Sequence, residues 1–259
     1  MAGMPVTLQG RGSMIFRCQP VTRVLFLAVS AAMALVPFSS GVVRAGVIYS
    51  TGFEDPPFTL GPISGQDGWA SAGTAEIENT IANGGTQALG IVGDAAGLRA
   101  LHLSAVNGAL NPVVLMQTDL AVASGFTNTF SLLAFNSLFG VIGGFDVLPD
   151  GTIQLQTAGL PSVGAAPLDA WNTFTMIFDF GTSTFSLFLN GSPLSSGAAF
   201  LNPGTDLLAG AFSNATAEGG IAFADNYLVF AQDLAVPEPG STLLLATGLA
   251  LVGLFRRRS

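Results

Sequence analysis

The side chains able to do chemistry are few, and most are carboxylates. Cys18 is the sole cysteine and His102 the sole histidine, so disulfides, thiolate zinc sites, Cys–His nucleophiles and histidine-based metal centres are closed to a single chain. A Ser–His–Asp triad would need the Gly-x-Ser-x-Gly elbow, which is absent, and His102 stands between Leu101 and Leu103 in a strand-like run. Glu76 and Glu78 alternate so as to share one strand face, the minimum for an acid–base pair. No third carboxylate or tryptophan stands near them, and a solvated strand face accounts for both. Glu54, Asp55, Asp225 and Asn226 offer hard oxygen donors, the set preferred by Ca²⁺, which asks for neither histidine nor cysteine. Trp69 and Trp171 are the two tryptophans and the candidates for stacking on sugar rings. With only 2 Tyr beside them the chain is poor in such platforms.

The elements that must position these groups read as strands. Between residues 46 and 236, runs rich in β-branched and aromatic residues alternate with Gly, Asn, Asp and Pro punctuation. Strands are expected at 46–53, 75–81, 87–91, 98–103, 113–121, 129–135, 144–148, 152–157, 172–180, 184–189, 207–212 and 221–230, and twelve strands need two sheets. Pro149-Asp150-Gly151 and Asn190-Gly191 supply residues that tolerate positive φ in tight hairpins, and Gly181-Thr182-Ser183 turns the chain between two aromatic strands. Phe174, Met176, Phe178 and Phe180 share one face, as do Phe185, Leu187 and Leu189; Ile177 and Phe188 on the other face point to partial cover there. No repeat or polar linker divides these 191 residues, so the expected body is one all-β, two-sheet sandwich.

Charge sets the body apart from the ends. The 259 residues hold 8 basic side chains, all Arg, and 16 acids. Fifteen of the acids lie in 46–236, where Arg99 is the lone base. Nucleic-acid binding, which depends on Lys and Arg against phosphate, is excluded. Arg17 and Arg23 precede an apolar run from Val24 to Val36 and then small residues, the three-part plan of a secretory signal removed by signal peptidase. Val43 and Ala45 suit the peptidase, which places cleavage between Ala45 and Gly46. Residues 1–13 read as an over-extended start ahead of Met14. At the other end Val236-Pro237-Glu238-Pro239 leads into 15 uncharged, mostly apolar residues (241–255), closed by Arg256, Arg257 and Arg258, which stay cytoplasmic as a membrane stop. Two prolines hold the tetrapeptide extended and free of helix bonds, as a protease takes its substrate.

This ending resembles the PEP-CTERM sorting signal of Gram-negative bacteria. The resemblance covers 237–259 and implies recognition by an exosortase, a membrane cysteine transpeptidase. It also implies transient anchoring in the inner membrane by a C-terminal helix, then delivery to the cell surface or extracellular matrix, often in species that make exopolysaccharide. A second resemblance, carried by GFEDPPFTLGPISGQDGWA (52–70), the Trp-to-Asn-Gly hairpin of 171–191 and AFADNYLVF (222–230), is to the concanavalin A-like, laminin-G-like jelly roll. In such folds the first and last strands are commonly neighbours, which would bring Glu54 and Asp55 to Asp225 and Asn226 around Ca²⁺. Hydrolases of that fold carry Glu-x-Asp-x-x-Glu on one strand, and this chain lacks it. The expected function is therefore a non-catalytic surface or matrix protein that binds a glycan, with a polysaccharide-active glycoside hydrolase as the alternative.

Overall fold

A computed structural model describes residues 45–72, 74–92, 97–202, 204–214 and 220–232. The expected signal segment before Ala45, the tetrapeptide Val236–Pro239, the 241–255 run and Arg256–Arg258 lie outside the described residues. Among the described residues no helix is long and apolar enough to cross a membrane.

The alternating pattern produces sixteen strands: β1 (Ala45–Thr51), β2 (Gly61–Pro62), β3 (Trp69–Ala70), β4 (Ala75–Glu78), β5 (Ala88–Val92), β6 (Gly97–Asn107), β7 (Val113–Val122), β8 (Phe130–Phe135), β9 (Val141–Val147), β10 (Thr152–Leu155), β11 (Ser162–Ala165), β12 (Trp171–Asp179), β13 (Thr184–Leu189), β14 (Ser192–Ala199), β15 (Asp206–Asn214) and β16 (Ile221–Gln232). All twelve expected strands form, within a few residues of their expected ends. The four additions are the two-residue bridges β2 and β3 and the edge strands β11 and β14. SVGA and SPLSSGAA are built of small residues and expose most positions. Edge strands bury little, so their sequences carry little alternation.

The strands form two antiparallel sheets. The first runs β14-β13-β12-β7-β16-β5-β4-β2, with β1 also on β16; the second runs β11-β10-β9-β8-β15-β6-β3. Between them lies one apolar core in which Phe53, Phe58, Phe130, Phe145, Phe174, Phe178, Phe185 and Phe212 are fully buried. Phe178 stacks on Phe185 at 5.6 Å, and Phe145 on Phe174 at 4.4 Å. The expected hairpins appear where placed: Asn190 and Gly191 both take positive φ (48° and 77°) between β13 and β14, and Gly151 (φ 83°) closes the turn from β9 to β10.

Two features of the first sheet position everything that follows. Strand β16 is central, with β7 along one side and β5 followed by β1 along the other. Its last residue, Gln232, pairs with both Ala45 and Val113, so the start of β1 and the end of β16 lie side by side.

Candidate functional site

Even-numbered residues of β7 and β12 enter the core, so the odd ones form the outer face of the first sheet. Register then sets them in rows. Across β16, β7 and β12, Asp225 pairs with Asp119 and Asp119 with Thr173. One step further down, Leu228 pairs with Gln117, Gln117 with Thr175, and Thr175 with Phe188 of β13. Below that, Phe230 pairs with Leu115 and Leu115 with Ile177. Above the first row, Phe223 and Trp171 flank Ala121.

The Asp225–Asp119–Thr173 row is roofed by the β4–β5 loop. Asn83 N–H donates to Asp225 Oδ2 at 2.8 Å, and Asn83 Nδ2 donates to Asp119 Oδ2 at 2.7 Å. Asn226, in a β-bulge of β16 at positive φ (50°), donates its side-chain amide to Asp119 Oδ2 and to the Asn83 carbonyl, at 2.8 and 3.1 Å. Its backbone N–H donates to Asp225 Oδ1 at 2.7 Å. Glu54 grips the same loop three residues on. It accepts from the N–H groups of Thr86 and Gln87 at 2.9 and 3.0 Å and from the Thr86 hydroxyl at 2.9 Å. We call this set the clasp.

Burial pushes the Asp225 carboxyl up to about 6, with the nearby charges of Glu54 and Asp119 adding to it against the donors from Asn83 and Asn226. Glu54 moves the other way: burial raises it, but the Gln87 and Thr86 donors prevail and hold it below its ordinary value.

Of the four expected Ca²⁺ ligands, Glu54, Asp225 and Asn226 meet. Asp55 does not join them: it is exposed and makes none of the hydrogen bonds of the clasp. Among the described residues no group of three or more carboxylates, histidines and cysteines is disposed to hold a metal. A small space does exist at Gly52. A Cβ placed there would lie 3.5 Å from Asn226 Oδ1, 3.7 Å from Asp225 Oδ1 and 3.9 Å from Glu54 Cγ, so two oxygens border the room a side chain would take.

The two tryptophans part company. Trp69 is 2% exposed and packs against Phe53, Phe212 and Tyr227, its indole N–H on the Tyr49 hydroxyl at 3.0 Å. Stacking on a sugar needs an open ring face, and Trp69 presents none, which corrects the expectation for it. Trp171 is half-buried on the outer face. Phe223, Phe188 and Phe230 share that face and that exposure, as do the polar Gln117 and Thr175, whose side chains bond each other at 3.2 Å. The sequence hides this set, since alternation in VLMQTDLA puts Gln117 outward but only cross-strand register puts it beside Thr175 and Leu228, with Phe188 next to Thr175.

Other residues singled out by type are accounted for by packing. His102 is 7% exposed, its ring stacked on Tyr49 at 3.6 Å and its Nδ1 2.8 Å from the Ser104 hydroxyl, with Ser104 itself 2% exposed. Burial holds the imidazole below its ordinary pKa. Glu76 and Glu78 do share the outer face of β4; Glu78 lies over Gly90, in the place of a side chain, and accepts from the Thr80 hydroxyl at 3.0 Å.

Known proteins add the address. Residues 235–259 match the PEP-CTERM protein-sorting motif. No curated protein matches the chain. Among solved structures the body is similar to a sialidase, at TM-score 0.50 and 8% identity over 62% of this chain, although it spans only 17% of that one. It is also similar to the cellulose-induced protein Cip1 (TM-score 0.47, 12% identity, 70% of this chain and 96% of that one) and to the T. cruzi calreticulin globular domain (0.48, 11%, 73% and 89%). At such identities the likeness concerns the fold alone. The chain thus ends in a PEP-CTERM sorting motif, the mark of an exported, exosortase-sorted protein of Gram-negative bacteria, carried behind a two-sheet antiparallel β-sandwich.

Proposed function

We propose that this is a non-catalytic surface or matrix protein whose jelly-roll sandwich binds an extracellular polysaccharide on the outer face of its first sheet. The observation that carries the reading is that face: half-buried Trp171, Phe223, Phe188 and Phe230 stand among Gln117 and Thr175, apolar ring faces beside planar hydrogen-bonding groups. Sugar rings offer the complement, an apolar C–H face and a rim of hydroxyls. The carboxylates nearest to it, Asp119 and Asp225, are held by the clasp. A glycan array with the purified mature chain, run beside a reducing-sugar release assay, tests both halves. Expected are retention on a polysaccharide, its loss in Trp171→Ala, and no release of reducing ends. Release that disappears in Glu78→Gln would replace this reading with the hydrolase.

The route of delivery is part of the same proposal. Signal peptidase frees the chain near Ala45, the 241–255 segment halts in the inner membrane with Arg256–Arg258 inside, and exosortase cuts near Pro237-Glu238-Pro239. Replacing those three residues with Ala leaves the apolar run intact and traps a longer, membrane-bound form. Intact mass of surface-extracted protein that still includes residues 240–259 in an exosortase-bearing host would overturn this.

Calcium belongs to the same proposal as a weak ligand at Gly52, beside Asn226 Oδ1 and Asp225 Oδ1, with the Glu54 side chain alongside. A cation bound to the native state alone raises its melting temperature. Gly52→Ala fills the space and should abolish a rise seen between chelator and millimolar Ca²⁺. Equal melting of the wild type in both conditions removes calcium from the account.

A further inference from the structure

The four most exposed large apolar side chains among the described residues are Leu138 (87%), Leu110 (62%), Val47 (61%) and Phe139 (60%). They gather at one end of the sandwich. Leu110 lies in the β6–β7 loop, which enters β7 at Val113, the partner of Gln232. Leu138 and Phe139 tip the β8–β9 hairpin, and Val47 is the third residue of β1. The β14–β15 loop joins this end through the Leu201 N–H on the Ile142 carbonyl at 2.9 Å, and it brings Leu201, 39% exposed. Gly108 N–H bonds the Thr205 carbonyl at 2.9 Å, and a shallow cavity of about 430 Å³ between these loops is lined by Asn107, Ser137, Thr205 and Asp206.

The Leu138–Phe139 tip is held firmly. Buried Asn136 takes the N–H groups of Leu138 and Gly140 on its Oδ1, at 3.1 and 2.8 Å, and Phe139 sits at φ 57°, a conformation that bulky side chains avoid. Water gives no reason to present two large apolar side chains on a braced turn. At the opposite end the β7–β8 loop does the reverse: it turns Phe126 inward (1% exposed) and shows Ser124, Gly125 and Thr127.

Chain length names the occupant. From Gln232, at the apolar end, eight residues (233–240) precede the apolar run that begins at Ser241. Fully extended they reach no more than about 30 Å. We infer that the Leu110, Leu138–Phe139 and Leu201 loops form a foot that seats on the outer surface of the bilayer while the chain is tethered, holding the sandwich upright with its sorting motif beside the membrane. This rests on the reading of 241–255 as the membrane segment.

The test uses the full chain without its signal, reconstituted in phosphatidylcholine vesicles, with a nitroxide on Leu138→Cys or, as the control at the far end, on Gly125→Cys; Cys18 leaves with the signal. Flotation with the vesicles first reports the tether. If the chain does not float, the membrane reading fails and the foot with it. If it floats, the label at 138 is expected to collide readily with oxygen and to be shielded from a water-soluble nickel complex, while the label at 125 stays open to nickel. Equal nickel access at both positions overturns the foot and leaves the tether standing. Shielding at 138 that vanishes on dilution of protein at constant lipid identifies a second copy as the occupant and likewise overturns it. Leu138→Ser with Phe139→Ser should float as before yet open a label placed at Leu110→Cys to nickel.

Discussion

Adjacent rows on one face of the first sheet use the same strands to opposite ends. In the Asp225–Asp119–Thr173 row the side-chain oxygens are acceptors or donors inside the protein, and a loop lies over them. One step along, Leu228, Gln117, Thr175 and Phe188 are half-open, with the amide and hydroxyl bonded only to each other. Charge here fastens a loop, and the neutral row meets the outside. In a body of 15 acids and one Arg, carboxylates find few cations, so backbone N–H groups and asparagine amides take that part.

The contrast can be broken from beneath. Phe178, fully buried under the lower rows, should cost roughly 3–5 kcal/mol as Ala and weaken both rows together, read by denaturant midpoint. A loss below about 1 kcal/mol would mean that the face does not depend on that core. Asp119→Ala acts on the clasp alone. It strands the amides of Asn83 and Asn226 and the Thr173 hydroxyl, for an expected loss of about 3 kcal/mol and faster amide exchange in residues 83–87. Unchanged exchange there would show that the loop is held by something else.

Acidity separates the rows next. With its folded value near 6 against about 4 unfolded, Asp225 keeps a proton that the unfolded chain gives up. Its contribution is complete below about pH 4, declines as pH rises to 6 and levels above, a fall of at most about 3 kcal/mol. Asp225→Asn should flatten that slope relative to wild type; a parallel pair of stability–pH curves would refute it. The smallest structural effect is expected at Gln117→Ala, within about 0.5 kcal/mol. Polysaccharide retention should nevertheless fall, and a variant that binds as wild type would take the glycan off this face.

Much of the sandwich is legible because its strands bury one face. WNTFTMIFDF alternates so strictly that both its span and its inward set follow from the letters, and Asn190-Gly191 marks its hairpin partner's far turn. SVGA and SPLSSGAA escape because an edge strand of small residues has no apolar stripe to betray it. The candidate site is legible in halves. Hard oxygen donors at 54, 225 and 226 suggest convergence, but Asp119 and Asn83, 36 residues apart, become partners only through the order in which strands assemble. Trp69 fails as a platform for a related reason: type says what a ring can do, and only packing says which way it faces.

The central place of β16 also has a mechanical meaning. A body held by the chain beyond Gln232 transmits any pull on its face through that strand, and β16 is laced to β7 on one side and to β5 and β1 on the other. Tension along the tether would have to slide β16 lengthwise past its neighbours, loading many ladder bonds at once instead of peeling them singly. Strand order thus puts the load-carrying cable of the body in the middle of its sheet, where any drag on it would be shared rather than concentrated at an edge.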